Sequence, residues 1–228
     1  MTTFIDLTNK LLRRLNEVEI SQADFTSTRG VQTLAKDAIR NAVQKINQAE
    51  YTWPFNAAEH SQTLVVGQEE YSWPVEFKVA DWDSFQIQKD NALGVQYQGL
   101  SFISRDEWYR NHRDEDYNAE SFGRDVPTLV FPSHGNGFGV TPSPNQAYSM
   151  RFRYYLSGAT LEAYNDTPRI PAAYDHVIIE GALYFMYMFR DNLEAANVAA
   201  QVFQQGLKEM QSLLINKYNR IYDTRVRF

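Results

Sequence analysis

A charged loop near the middle of the chain carries side chains that could hold a metal ion. His112, Asp114 and Asp116 alternate there, and imidazole nitrogen and carboxylate oxygen are ligands of zinc and of harder cations. Arg110 and Arg113 lie in the same loop as counter-charges, and the spacing is not that of an EF-hand. We therefore expect a solvated run of charges and no metal site, with part of the loop forming a short helix.

Two pairs of carboxylates could act as the acids of a sugar-cleaving site. Asp81 and Asp83 flank Trp82, and on a strand their carboxylates would share one face. Glu69 and Glu70 form the second pair. Turn chemistry at the start of a strand accounts for Asp81 and Asp83 equally well. A cell-wall or glycan-degrading enzyme is therefore kept as an alternative function.

Tryptophan rings suggest a further alternative. Trp73, Trp82 and Trp108 fall in a region rich in predicted strands, where they could present a stacking surface for sugars. The chain would then be a β-rich carbohydrate-binding module. Neither alternative has a matching motif, and neither explains the long helical segments described below.

A glycine-rich segment could in principle cradle a phosphate. Gly135, Gly137 and Gly139 alternate in HGNGFGVTPSP, but a phosphate loop lies between a strand and a helix and continues into Lys-Ser or Lys-Thr. Pro142 and Pro144 block a helix there. We expect a flexible or bulged loop between strands.

The remaining chemistry-bearing residues form no recognisable set. The chain has no cysteine, which excludes disulfides, thiolate zinc sites and cysteine nucleophiles. It has no G-x-S-x-G motif, and its histidines are scattered. The sequence therefore predicts no catalytic, cofactor-binding or metal-binding residue and no enzymatic activity. The histidines are His60, His112, His134 and His176, the last expected at a surface or interface.

Composition narrows the possible partners. The chain of 228 residues has a formal charge of −6, and its Lys and Arg residues are dispersed, which disfavours groove-type nucleic-acid binding. Its most apolar segment, residues 181–189, is far shorter than the roughly 20 residues of a membrane helix. We expect a soluble protein with no membrane partner.

Helical periodicity marks both ends of the chain. Residues 3–18 and 31–50 each carry one apolar stripe, and the second must end near Trp53-Pro54 because a residue before proline avoids helical dihedrals. Residues 171–218 predict a helical hairpin, entered at Pro171 and divided where Asp191 and Glu194 have capping-box spacing. The first stripe is Phe4, Leu7, Leu11, Leu15 and Val18, and the last helix has Leu193, Ala196, Ala200, Phe203, Leu207, Met210 and Leu214.

Large rings are unusually dense in the first helix of this hairpin. Tyr184, Phe185, Tyr187 and Phe189 cover nearly its whole circumference, so protein should enclose that helix on several sides. One small bundle can hardly provide such enclosure. A neighbouring subunit could.

The central segment predicts a different fold class. From about 60 to 156 the chain has short runs of β-branched and aromatic residues separated by turn residues. We therefore expect an α+β protein: a helical bundle of two N-terminal and two C-terminal helices (1–58 and 161–215), an inserted small antiparallel β-domain (59–160) and an extended C-terminal tail (216–228). The candidate strands are Thr63–Val66, Val75–Val79, Phe85–Gln88, Leu100–Ile103, Thr128–Phe131, Phe138–Thr141 and Tyr148–Tyr155.

Three stretches resemble a known family. They are Ala35–Phe55, with its Trp-Pro-Phe step, Val140–Leu161, with a proline-rich turn before an alternating strand, and Ile170–Met210, the helical pair. Their order and short patterns are similar to those of the head-to-tail adaptor proteins of tailed bacteriophages, in particular the tail tubular protein A type of short-tailed phages.

The resemblance implies a structural role in the virion. Such adaptors form a dodecameric ring between the portal protein and the tail nozzle protein, and the ejected genome passes through the lumen without sequence-specific binding. The resemblance also implies assembly in the host cytoplasm, a location in the neck and tail, and no enzymatic task. A net acidic protein suits this role, because it makes few lasting phosphate contacts.

The last residues are the predicted portal-docking segment. After residue 215 the chain turns basic and aromatic, and Arg and Tyr are residue types that often dominate binding energy at interfaces. The alternative is a frayed terminus. The predicted docking residues are Lys217, Tyr218, Arg220, Tyr222, Arg225, Arg227 and Phe228.

Overall fold

The computed structural model describes residues 2–91, 94–113 and 123–215 and divides the chain into two compact units. Residues 2–56 and 157–215 form the helical unit. Residues Ala57–Leu156 form the β unit. The predicted α+β class is confirmed. The helices are α1 (Phe4–Arg14), α2 (Val31–Ala49), α3 (Arg105–Asn111), α4 (Asp175–Phe189) and α5 (Leu193–Leu214), with short 3-10 turns at Pro54–Asn56, Trp82–Ser84 and Ala172–Tyr174.

Helix α1 begins with a complete capping box and ends earlier than predicted. The Thr3 hydroxyl accepts a hydrogen bond from the Asp6 backbone amide and donates to the Asp6 carboxylate. The Thr3 backbone amide also donates to that carboxylate, and the hydrogen bonds from the Thr3 hydroxyl and amide lower the pKa of the Asp6 carboxyl. The helix ends at Arg14 because Asn16 takes a left-handed φ of 56°. Val18, predicted on the buried stripe, is therefore 77% exposed.

The hairpin of α4 and α5 is present, but its corner differs from the prediction. Asp191 adopts a left-handed φ of 54°, so it is not the N-cap and the predicted capping box with Glu194 is wrong. Asn192 caps α5 instead, and its side chain accepts from the Ala195 amide at 3.1 Å. Pro171 likewise lies before the 3-10 turn Ala172–Tyr174, which leads into α4.

Two glycines let α4 lie close to its neighbours. A Cβ at Gly181 of α4 would come within 2.8 Å of the Phe203 ring on α5 and 3.1 Å of Ala42 on α2. A Cβ at Gly206 of α5 would come within 2.8 Å of Val177 on α4. The helices can thus approach each other closely at these two positions, because glycine has no side chain.

The segment after α2 is locked onto that helix. The fully buried Trp53 indole donates to the Ile46 carbonyl at 2.7 Å, and its ring stacks on Phe55 at 5.3 Å. The Asn56 amide donates to the Asn47 side chain at 2.8 Å. As predicted, the helix ends before Trp53-Pro54, and the chain then enters the β unit.

The β unit contains two sheets that share one core. One has the strand order β1-β9-β4-β5, with β3 also paired to β9, and the other has the order β2-β8-β7-β6. All pairs are antiparallel except β6 with β7. The strands are β1 (Ala57–Thr63), β2 (Glu70–Ser72), β3 (Phe77–Ala80), β4 (Gln86–Asn91), β5 (Gly94–Gly99), β6 (Ser101–Phe102), β7 (Leu129–Pro132), β8 (Gly137–Thr141) and β9 (Ser149–Leu156).

Periodicity located the central strand accurately and some edge strands poorly. In β9 the side chains of Met150, Phe152 and Tyr154 are buried, as the alternating pattern predicts. The predicted strand Thr63–Val66 is wrong, because β1 ends at Thr63 and the chain then turns, with Gly67 at a φ of 73°. Strand β5 was not predicted, since four of the six residues of GVQYQG are Gly or Gln.

Gly181→Ala should destabilise the helical unit. The new methyl gains about 1 kcal/mol of helix propensity, but crowding Phe203 and Ala42 costs about 1 to 3 kcal/mol. We expect a net loss of roughly 1 kcal/mol in the free energy of unfolding, measured by denaturant titration with far-ultraviolet circular dichroism. Gly135→Ala is the matched control, because its Cβ would meet nothing within 4 Å. Equal stability of the two variants would contradict this account of the packing.

Candidate interaction surfaces

The metal candidates are not assembled into a site in the described part of the chain. The His112 backbone amide donates to the Trp108 carbonyl at 2.9 Å, which ends α3. Asp114 and Asp116 lie outside the described residues. Within residues 2–91, 94–113 and 123–215, no group of three or more His, Asp or Glu side chains could hold a metal ion.

Asp81 and Asp83 belong to a turn and do not share a strand face. Asp81 precedes the 3-10 turn Trp82–Ser84, which contains Asp83. The Asp81 carboxylate pairs with the Arg153 guanidinium at 2.9 Å, and the Ser84 hydroxyl donates to the Asp81 carbonyl at 2.5 Å. The turn interpretation of this acidic pair therefore fits the geometry. Of the second pair, Glu69 directly precedes β2 and Glu70 is exposed on it.

The tryptophan rings are used in packing. Trp73 stacks on Phe77 with ring centroids 4.0 Å apart, and Trp82 stacks on Phe85 at 5.5 Å. Trp73 and Trp82 also meet edge to face at 5.6 Å. Trp108, only 8% exposed, stacks on Phe131 at 4.5 Å in a separate cluster. These three rings do not form the common open platform that sugar stacking would need.

Two glycines of the segment HGNGFGVTPSP, which was expected to form a loop between strands, serve strand packing instead. Gly137 and Gly139 lie in β8. A Cβ at Gly137 would come within 2.1 Å of the Tyr71 carbonyl oxygen, and one at Gly139 within 2.2 Å of the Phe131 ring. Their role is therefore to admit a neighbouring backbone and a ring.

Three of the histidines also have structural contacts. His60 packs against the Phe152 ring at 5.4 Å, and His134 meets the Tyr109 ring at 5.9 Å. The Nδ1 atom of His176 lies 3.1 Å from the Ala173 carbonyl oxygen at the start of α4. None of these contacts resembles a nucleophile with its base.

Lys36 has a perturbed pKa, but its surroundings are those of a core residue. Its ammonium donates to the Phe25 carbonyl oxygen at 2.7 Å and lies 4.5 Å from the centre of the Phe25 ring. Burial lowers the pKa of this amine, and the nearby Arg40 lowers it further. Because the side chain is buried in the helical unit, it is not placed to act on a substrate.

Cationic side chains on α1 are neutralised by carboxylates. Lys10 pairs with Asp175 at 2.7 Å, Arg13 pairs with Glu19 at 3.0 Å, and Arg14 pairs with Glu180. Near the hairpin corner, Arg190 pairs with Glu17. All but the Arg13–Glu19 pair tie α1 or the segment after it to α4 and its C-cap. The pairs leave the charges less available to bind phosphate.

Several apolar side chains near the corner of the α4–α5 hairpin and along α5 are exposed in the described part of the chain. We define the hairpin patch as the exposed residues Met188, Phe189, Leu193, Val198 and Val202. Phe189 is 60% exposed and Val198 is 59% exposed. The described part of the chain therefore does not enclose this end of α4, although its ring content predicted enclosure.

A polar but uncharged surface extends the hairpin patch along α5. Residues 195–207 include no Asp, Glu, Lys or Arg, and Asn197, Gln201 and Gln204 are exposed among them. Beside this surface, Tyr187 and Val198 line one cleft of ≈ 410 Å³ whose lining also includes the charged residues Arg14, Glu180 and Glu194. Val198 and Val202 were not predicted to be exposed from the sequence. Their spacing of four residues, on a different face from the predicted stripe, is the signal that would have found them.

The predicted docking tail follows the last described residue, 215. Lys217, Tyr218, Arg220, Tyr222, Arg225, Arg227 and Phe228 all lie outside the described residues, which end at residue 215. Helix α5 ends at Leu214.

A family model described as SU10 adaptor protein matches residues 2–227, which is nearly the whole chain. No curated protein matches the chain. In the described residues, no helix has the length and apolarity needed to cross a membrane.

Replacing both turn carboxylates should have only a small structural effect. Asp81→Asn with Asp83→Asn removes a partly exposed ion pair to Arg153, so we expect the free energy of unfolding to fall by about 1 kcal/mol or less. The unmodified chain should release no more soluble sugar from purified cell walls than a heat-denatured sample does. Sugar release that the double variant abolishes would contradict our interpretation and support the enzyme alternative.

Proposed function

Because the chain belongs to the SU10 adaptor protein family, a family of bacteriophage adaptors, we propose that copies of it form a ring between the portal protein and the tail nozzle protein. The family makes it a structural adaptor of the virion neck. The proposal adds a closed ring of twelve copies, with the genome passing through its lumen during ejection. The family match over residues 2–227 is the observation that carries it.

The hairpin patch supports self-association. A closed ring needs heterologous contacts, in which one surface of a copy meets a different surface of the next. Exposed Phe189, Val198 and Val202 offer apolar area, and the uncharged stretch 195–207 can be buried without stranding a charge. We propose that this surface packs against the neighbouring copy.

Charge supports a lumen through which DNA moves without lasting contacts. The chain carries a formal charge of −6, and Lys10, Arg13, Arg14 and Arg190 are already paired with carboxylates. Phosphate binding releases counterions in proportion to the free cationic groups that contact it. A lumen with a small number of free cationic groups would let the genome pass without sequence-specific binding.

A purely structural role also agrees with the candidate acids and rings. Asp81 is held in a turn by Arg153, and Trp73 and Trp82 pack on phenylalanine rings. We therefore propose that the protein is not an enzyme and uses no cofactor.

We propose that the chain consists of a bundle (1–58 and 161–215), an inserted β-domain (59–160) and an extended tail (216–228). We propose that the tail docks on the portal. The docking segment carries four Lys or Arg residues within thirteen positions, together with two Tyr and a terminal Phe. Arginine and tyrosine fit an interface that offers carboxylates and apolar pockets.

Val198→Glu with Val202→Glu should reduce ring formation. Two carboxylates per copy would be buried without partners at the proposed contact, which is strongly unfavourable. We expect at least about a tenfold loss of rings, counted by electron microscopy with the portal protein of the same phage. Gln44→Glu with Gln48→Glu is the matched control, with equal spacing and equal added charge on the exposed side of α2. Equal ring counts for both double variants would refute the role of the hairpin patch.

Deleting residues 216–228 should weaken portal binding and leave the fold intact. Loss of several interface Arg and Tyr side chains should reduce affinity by at least about a hundredfold, measured by surface plasmon resonance on immobilised portal protein. A full-length variant with Asn216→Ala and Asn219→Ala controls for changes in the tail that spare its basic and aromatic residues. Unchanged affinity after the deletion would remove the docking claim.

A further inference from the structure

The sheet that contains β9 ends in two open edges, β1 and β5. In the described part of the chain, β5 pairs only with β4 and β1 pairs only with β9. Natural proteins usually protect such edges with charges or proline, because unpaired backbone groups recruit another strand. Strand β5, GVQYQG, has neither protection.

Ladder geometry identifies the outward-facing backbone groups of β5. The Leu100 amide donates to the Phe85 carbonyl at 2.9 Å. In an antiparallel ladder, bonded and non-bonded pairs alternate, so with Gln86 opposite Gly99 the bonded residues of β5 are 94, 96 and 98. Val95, Tyr97 and Gly99 therefore direct their amides and carbonyls away from β4. Among the described residues these groups have no hydrogen-bond partner.

The same positions expose apolar side chains. Val95 is 57% exposed and Tyr97 is 48% exposed. The Arg151 guanidinium lies 3.6 Å from the centre of the Tyr97 ring, and this contact holds the ring over its own sheet. An incoming strand could thus approach the backbone of β5 without displacing a bulky charged group.

The other edge is complementary. The Leu64 amide donates to the Tyr148 carbonyl at 2.8 Å, so the alternation leaves residues 57, 59, 61 and 63 of β1 facing away from β9. These four positions are exposed. Strand β1 therefore offers seven residues of open edge against the six of β5.

We propose that β5 of one copy pairs with β1 of the next, so that the sheets of neighbouring copies join around the ring. This inference rests on the proposed ring function. Strand directions allow it: β1 is antiparallel to β9, β9 to β4, and β4 to β5, so β1 and β5 of one sheet run in opposite directions. A copy rotated about the ring axis then presents β1 antiparallel to β5. Pairing of β5 with β5 would instead close a two-fold dimer.

The outward positions restrict the register to two possibilities. Antiparallel pairing places three outward residues of β5 opposite three of the four outward residues of β1. Val95 then lies opposite Ser61 with Tyr97 opposite Glu59, or Val95 lies opposite Thr63 with Tyr97 opposite Ser61. Every other register leaves at least one outward residue of β5 unpaired.

Engineered disulfides test this contact directly, because the natural chain has no cysteine. The variants are Val95→Cys with Ser61→Cys, and Val95→Cys with Thr63→Cys. Each full-length chain is mixed with the portal protein of the same phage, oxidised, and run on a non-reducing gel. Val95→Cys with Ala57→Cys is the matched control, because those residues are opposite in neither register.

One of the two test variants should give a ladder of covalent multimers that dithiothreitol removes, with at least tenfold more cross-linked chain than the control. Ladders as strong in the control, or dimers without higher multimers, would overturn the β5–β1 contact. Electron microscopy of the unmodified chain separates the two proposals. Rings on the portal without cross-links in either test variant would overturn this contact and leave the adaptor ring standing, whereas no rings at all would overturn both.

Discussion

The close approach of α4 to α2 and α5 is the constraint on which the helical unit depends. Gly181 and Gly206 provide the space, because a side chain at either position would collide with Phe203 or Val177. One side of α4 is buried in this contact. The larger residues at its C-terminal end, Met188 and Phe189, are exposed and are not covered by the described part of the chain. The fold of one copy thus generates the apolar area that we assign to its neighbour.

The sequence predicted the parts of the fold that repeat along the chain. A period near 3.6 located four helices, and a period of 2 located β9 with its buried face. It failed where single residues leave the regular backbone, as at Asn16 and Asp191, whose positive φ values end a helix or turn a corner. It also failed at β5, whose stability comes from pairing with β4 rather than from its own residue types.

The adaptor function was predicted from a family resemblance and from the absence of catalytic motifs in the sequence. The roles of individual candidate residues were predicted less well. The acidic, aromatic and glycine candidates each have a packing or turn role in the structure, which composition and spacing alone do not reveal. Interaction surfaces are harder still, because exposure depends on how the whole unit packs. Val198 looks like any core residue in sequence, and only the fold shows that it is exposed.

The hairpin patch and the two open strand edges lead to the same expectation, that one copy is an incomplete unit of a larger assembly. Electron microscopy of the purified chain mixed with the portal protein of its phage tests this most directly. We expect closed rings of twelve copies capping the portal, with α5 and the β1 and β5 edges at contacts between copies. Single copies that stay unassembled beside the portal would contradict it.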